Sequence, residues 1–298
     1  MTAIGFVGLG AMGGRIAGRL LDSGHVVYGT NRTRGKADPL VERGLIWRDS
    51  PREVAEQAEV VFSMVTDTAA LEAVTRGPSG ILAGVRPGTV YVDMSTVSPA
   101  ASRELAQRVR ELDAVMLDAP VSGSVPAAEY GSLAIMVGGD PAGFARVEPL
   151  MRELGRTVTH VGANGQALVM KLAVNISLAV QMIAFSEGVL LAARAGIDTE
   201  LAIDVLCSSA VGSPMLRLRG PLVLDRPDEA WFDVRLMAKD VDLALEQGRS
   251  LDVPLPSAAV AGELLARARM LGYGDQDIVA LFDVLAHLPE PERAAAAA

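Results

Sequence analysis

The sequence predicts an α/β fold, with an N-terminal Rossmann-type doubly wound sheet followed by an all-helical C-terminal domain. Three observations lead there. From residue 2 to about residue 162 short β-rich runs alternate with helical stretches. A glycine fingerprint, Gly8-Leu9-Gly10-Ala11-Met12-Gly13, joins the first run to the first helix. After Gly165 the strand pattern stops, and helical periodicity continues almost to the end. At 298 residues the chain exceeds the usual size of one domain, so two are expected: a dinucleotide-binding domain at 1–163 and a helical substrate and dimerisation domain at 164–298.

Strands are expected at 4–8, 26–30, 60–65, 90–94, 114–118, 133–137 and 158–161. Most are unbroken apolar runs, the pattern of strands covered by helices on both faces, so a parallel sheet is expected. Helices at 12–22, 100–112 and 142–154 lie between them. A helix at 166–195 would reach about 45 Å at about 1.5 Å per residue, and Gly196 is placed to stop it. Its apolar stretch is interrupted by Asn175, Gln181 and Glu187, groups costly in lipid, so it reads as a buried helix and not a membrane span. The alanine tail at 294–298 is expected to fray.

Half of the residues are hydrophobic, enough for a sizeable core, and the net charge is −9. An acidic chain does not suit a nucleic-acid partner, because phosphate backbones are bound by an excess of Lys and Arg. The one cysteine, Cys207, has no partner for an internal disulfide, and the first residues lack signal-peptide features, so a cytoplasmic protein is expected. Of 27 basic residues three are lysine: Lys36, Lys171 and Lys239. A lysine kept where arginine dominates suits a task that a guanidinium does not perform, such as changing protonation state.

The fingerprint follows an expected strand and opens an expected helix, the context that dinucleotide binding requires. Gly8 permits the tight turn, Gly10 lets a pyrophosphate approach the backbone, and Gly13 lets helix and strand pack closely. Val65, closing the strand at 60–65, is placed with the same contacts. At the end of the second strand an NAD enzyme carries Asp or Glu for the ribose 2′-hydroxyl. This chain has Asn31-Arg32-Thr33-Arg34-Gly35-Lys36, three cations and no acid. A planar guanidinium at Arg32 can grip a 2′-phosphate with two hydrogen bonds, so NADP(H) is favoured over NAD(H). The same segment also fits a solvated loop before a helix.

The order of motifs resembles the β-hydroxyacid dehydrogenase family over nearly the whole chain. The resemblance rests on GLGAMG at 8–13, NRT at 31–33, DMST at 93–96, DAPVSGS at 118–124, the glycine, lysine and asparagine at Gly165, Lys171 and Asn175, and FDVRLMAKD at 232–240. It implies that Ser122 and Gly123 hold a substrate carboxylate, that Lys171 is the general acid for carbonyl reduction, and that Asn175 positions the substrate oxygen. It further implies that Thr96, Phe232 and Lys239 lie near the nicotinamide and its ribose, with the substrate in a cleft between the two domains. Ser124 replaces the usual second glycine, as in the glyoxylate and succinic semialdehyde reductase branch, and this favours an aldehyde acid.

The residue chemistry is compatible with these roles. Small residues after a strand expose N–H groups that can nest an anion, although PVSGS also fits an ordinary loop. Lys171 and Asn175, four apart, lie on one helix face a turn apart. A lysine serves as general acid where burial or a neighbouring cation brings its pKa toward the working pH. The apolar helix around Lys171 strains the alternative of a solvated lysine. Phe232 and Lys239 alone are weaker signals, and Ser95 and Thr96 also fit helix capping.

Rival readings are weighed at the lysine motif. The 6-phosphogluconate dehydrogenases are longer and carry histidine just before the asparagine, where this chain has Val174. Imine reductases usually replace the lysine, and a nuclear scaffold member of the family has lost it; Lys171 speaks against both. No metal site is expected. A homo-oligomer is expected, because the long helix stays apolar beyond one stripe.

Overall fold

The computed structural model describes residues 2–288, so the alanine tail expected to fray lies outside the described residues. The chain divides into two compact units, Met1–Val174 and Asn175–Ala298, and the division falls within the long helix.

The first unit is built on nine strands: β1 Ala3–Val7, β2 Val26–Thr30, β3 Ile46–Trp47, β4 Val60–Ser63, β5 Val90–Asp93, β6 Val115–Asp118, β7 Val121–Ser122, β8 Leu133–Gly139 and β9 Gly155–Gly162. They lie in the order β3-β2-β1-β4-β5-β6-β8-β7, with β9 on β8. Alternate residues of each central strand enter different cores. Ile4, Phe6, Val60, Phe62, Val90 and Val92 pack into one apolar cluster, whereas Val7, Val61, Tyr91 and Met116 pack into another. A sheet buried on both faces is what makes its strands read as continuous apolar runs. Phe6 and Phe62, opposite each other on β1 and β4, stack with centroids 5.9 Å apart.

The expectation of a parallel sheet holds from β3 to β6 and needs correction beyond it. β8 runs antiparallel to both β6 and β7. Asp118 faces Gly138 and Val121 faces Ile135, so β6 and β7 form one continuous ladder with β8, interrupted at Ala119-Pro120. Proline has no N–H to give the ladder. The chain then reverses through Gly123 and a five-residue helix, Val125–Glu129, and returns alongside itself as a hairpin does.

The long helix runs Gln166–Arg194, and Gly196 beyond it has φ +88°, a left-handed conformation suited to glycine after a helix. Its most apolar window has a mean hydropathy of 1.8 and is 39% buried, and by length and composition it could cross a membrane. Met170 and Leu191 lie exposed on it. The second unit adds helices Thr199–Ser208, Pro214–Arg219, Val234–Ser250, Pro256–Met270 and Leu281–Ala286 around its own core, which includes Phe185, Met237, Val241, Leu265 and Leu281.

Candidate active site

The strand order reverses between β1 and β4, and the segments that leave their carboxyl ends meet there. This is where doubly wound sheets bind nucleotides. Gly8 has φ +96°, and a β-carbon on it would come within 2.3 Å of the Met64 carbonyl oxygen beyond β4. One on Gly13 would lie 2.0 Å from the Gly8 carbonyl oxygen. One on Gly10 would meet nothing within 4 Å, so that glycine faces open space at the start of helix Ala11–Asp22, whose first N–H groups receive no side-chain cap from it. An uncapped helix start beside an open glycine fits a pyrophosphate.

Asn31 ties this turn to the cationic loop: its Oδ1 accepts the Leu9 N–H at 3.1 Å, and its Nδ2 donates to the Thr33 carbonyl at 3.0 Å. The three cations are not equivalent. Arg34 pairs with Asp38 and lies 4.3 Å over the Trp47 ring. Arg32 and Lys36 are exposed, and neither forms an ion pair among the described residues. They are the cations available to a phosphate.

The last residues of β4, β5 and β6 are Ser63, Asp93 and Asp118, side by side in register. Asp93 is fully buried; one oxygen accepts the hydroxyls of Ser63 and Ser95, both at 2.7 Å, and the other has no hydrogen-bond partner among the described residues. Burial pushes its pKa up to about 6 against the pull of those hydroxyls. The Ser95 hydroxyl in turn accepts the Val65 N–H at 2.9 Å, so Asp93 steadies the segments carrying Val65 and Thr96. Burial likewise raises Tyr91, whose hydroxyl meets that of Ser63 at 2.7 Å.

Ser122 ends β7, and Gly123 follows with φ +117°, where a β-carbon would lie 2.7 Å from that of Ala127. The turn therefore requires glycine at that place. Asp118, four residues before Ser122, accepts the Gly165 N–H at 2.8 Å and the Leu168 N–H at 3.3 Å, both at the start of the long helix. Burial raises its carboxyl from the usual range while these donors and Asn164 pull it down. Lys171 on this helix is 9% exposed, and Asn175, one turn on, is 1% exposed. Within the second unit, the Asn175 amide nitrogen donates to Asp240, whose other oxygen lies 2.9 Å from the Lys239 ammonium.

Comparison with known proteins gives the family of the chain. Residues 3–162 match the NAD binding domain of 6-phosphogluconate dehydrogenase, and residues 165–285 match the NAD-binding domain of NADP-dependent 3-hydroxyisobutyrate dehydrogenase. The chain is 34% identical to the chloroplastic glyoxylate/succinic semialdehyde reductase 2 of Arabidopsis thaliana, over 95% of this chain and 79% of that protein. It is 37% identical to the 2-hydroxy-3-oxopropionate reductase of Escherichia coli, over 95% and 96%. The solved structure of Psf3 in complex with NADP+ and 2-OPP superposes with a TM-score of 0.88 at 27% identity, covering 95% of this chain and 99% of that one. The chain belongs to the β-hydroxyacid dehydrogenase family. It is an oxidoreductase that uses a nicotinamide dinucleotide.

Several positioning groups of this β-hydroxyacid dehydrogenase escape sequence reasoning. Asp118 and Asp240 stand in the segments 118–124 and 232–240, yet nothing local shows what they hold. Asp277 belongs to no such segment, and it accepts the backbone N–H of Phe232 at 3.1 Å. Among the described residues no cluster of three or more His, Cys, Asp or Glu is arranged to hold a metal ion.

Proposed function

We propose that this β-hydroxyacid dehydrogenase reduces a small aldehyde acid, of the glyoxylate or semialdehyde type, to its hydroxyacid with NADPH, and runs the reverse oxidation. The observation that carries the reading is the buried Lys171, one helical turn before the buried Asn175 on a predominantly apolar helix. A lysine held one turn from a buried asparagine is placed to act together with it on a bound carbonyl oxygen. The names of the two reductases above support the substrate class, and the NADP+ of the solved Psf3 complex supports the cofactor.

Bound NADPH supplies the hydride. The Ser122 hydroxyl and the backbone N–H groups around Gly123 hold the substrate carboxylate. The Lys171 ammonium gives a proton to the carbonyl oxygen as negative charge develops there, and Asn175 holds that oxygen in line. Asp240, by accepting from the Asn175 amide nitrogen, decides which way that amide faces. Arg32 and Lys36 hold the 2′-phosphate.

A panel tests the reading: NADPH and NADH oxidation with glyoxylate, succinic semialdehyde, 2-hydroxy-3-oxopropionate and methylmalonate semialdehyde. At least one aldehyde acid should be reduced, with kcat/KM higher for NADPH. No turnover with any of them would reject the proposal.

A further inference from the structure

A helix usually begins with a residue whose side chain accepts the N–H three positions on. The long helix cannot do this for itself, because the residue before it is Gly165, held at φ +86°, a conformation that strains any other residue, with a β-carbon crowded by Arg103 and the Pro99 carbonyl. The acceptor arrives from another element. Asp118, at the end of β6, takes the Gly165 N–H on Oδ1 and the Leu168 N–H on Oδ2, and Asn164 Nδ2 also donates to Oδ1 at 3.3 Å. The sheet leaves room for this carboxylate: a β-carbon on Gly138 would lie 2.8 Å from its Oδ2.

The placement links two parts of the candidate site. Along the chain, Asp118 is followed within four residues by Ser122 and then Gly123. Across its hydrogen bonds it reaches Leu168, three residues before Lys171 and on the same helix face. Both bonds lie within the first unit, and a helix is stiff enough that its first turn fixes the direction of the second. We propose that Asp118 is a positioning residue, which caps the long helix from the end of β6 and thereby sets Lys171 against the turn at Ser122 and Gly123. This rests on Lys171 being the proton donor. Misplacing a reacting group by about 1 Å costs on the order of a hundredfold in rate, so a cap of this kind should be visible in turnover.

The test is a double-mutant cycle in kcat on the full chain, with NADPH and whichever of glyoxylate and succinic semialdehyde the wild type reduces faster. Asp118→Asn should lower kcat about 10- to 100-fold while NADPH affinity, read by fluorescence, stays within about twofold. Combined with Lys171→Ala it should add almost nothing, because the two act through one group. Should Asp118→Asn fail to fold by circular dichroism, Asn164→Ala gives the same comparison. It removes one donor to the carboxylate, together with the bond from the same nitrogen to the Met116 carbonyl at 2.9 Å, and should cost kcat about two- to tenfold, again without adding to Lys171→Ala. Multiplied losses in the double variant, or wild-type kcat in the single one, overturn this inference alone. Wild-type kcat in Lys171→Ala overturns the proton-donor reading and the inference with it.

Discussion

Asp277 holds the Arg219 guanidinium on one carboxylate oxygen and the backbone N–H groups of Trp231 and Phe232 on the other. Both side chains of the pair are at least 98% buried, with exposures of 2% and 1%. Removing one partner of such a pair strands the other charge away from water. Asp277→Ala should therefore destabilise the protein by about 3 to 5 kcal/mol, read as a lower urea midpoint. Arg219→Met combined with Asp277→Leu should recover part of this and not all, since the backbone N–H groups of Trp231, Phe232 and Val279 still lose their acceptor. An unchanged midpoint in Asp277→Ala contradicts the account.

Turnover should depend on Lys171 as a proton donor and not only as a cation. Lys171→Ala is expected to lower kcat by about 10² to 10⁴, with NADPH affinity near wild type. Lys171→Arg should fail as well, because a guanidinium keeps the charge and does not readily release its proton. Recovery of most activity in the arginine variant, with the change confined to substrate KM, would show that the residue anchors the carboxylate instead.

Cofactor choice should follow the exposed cations. On the proposal that Arg32 grips the 2′-phosphate, Arg32→Ala should cost about 1.5 to 3 kcal/mol of binding and raise KM for NADPH while leaving that for NADH nearly unchanged. Arg34→Ala should matter less, since Asp38 and the Trp47 ring already engage that guanidinium. Equal losses with both cofactors in the Arg32 variant refute the assignment.

Asp93 gives the fold a predictable response to pH. Below 3.8 both folded and unfolded chains hold its proton, and above about 6 both have released it. Between these values the folded state alone retains the proton, so stability from this group falls as pH rises, by about 3 kcal/mol at about 1.4 kcal/mol per pH unit. Asp93→Asn keeps an acceptor for Ser63 and Ser95 and cannot ionise. Its stability relative to wild type should improve between pH 4 and pH 7 in urea titrations, and a constant difference would rule out the ionisation.

Assembly is the last expectation. Leu191, Leu201 and Val205 are exposed at 75%, 55% and 57%, on the long helix and on the helix Thr199–Ser208 that follows it. Light scattering at micromolar concentration should show a dimer or larger. A monomer would leave this surface without a reason.

The legible features of the sequence were those carried by local pattern. Strands buried on both faces announce themselves as apolar runs, and the fingerprint needs only a strand before it and a helix after it. β3 and β7, at two residues each, are too short for any periodicity, and an antiparallel return such as β8 has the same composition as a parallel one. The sequence singles out candidates where chemistry is written in residue type, as in Lys171 among so few lysines or Arg32 where an acid would select NAD. Asp118 and Asp240 are not singled out, because each acts on a group 47 or 65 positions away in the chain, and only folding brings the pair together.

The hydrogen bonds of Asn31 bear on how cofactor preference can change. The residue at the place where NAD enzymes carry an acid is here a strut, joining the backbone at Leu9 to that at Thr33. An exchange of Asn31 for Asp keeps the acceptor for Leu9 but turns the donor to Thr33 into a carboxylate facing a carbonyl oxygen, so a redesign of the cofactor site that begins there spares the glycine turn and disturbs the loop that carries the cations. Arg32 and Lys36 bear no such duty. Shape thus rests on one side chain of this short loop, and the cations beside it can be exchanged while the strut between Leu9 and Thr33 stays intact.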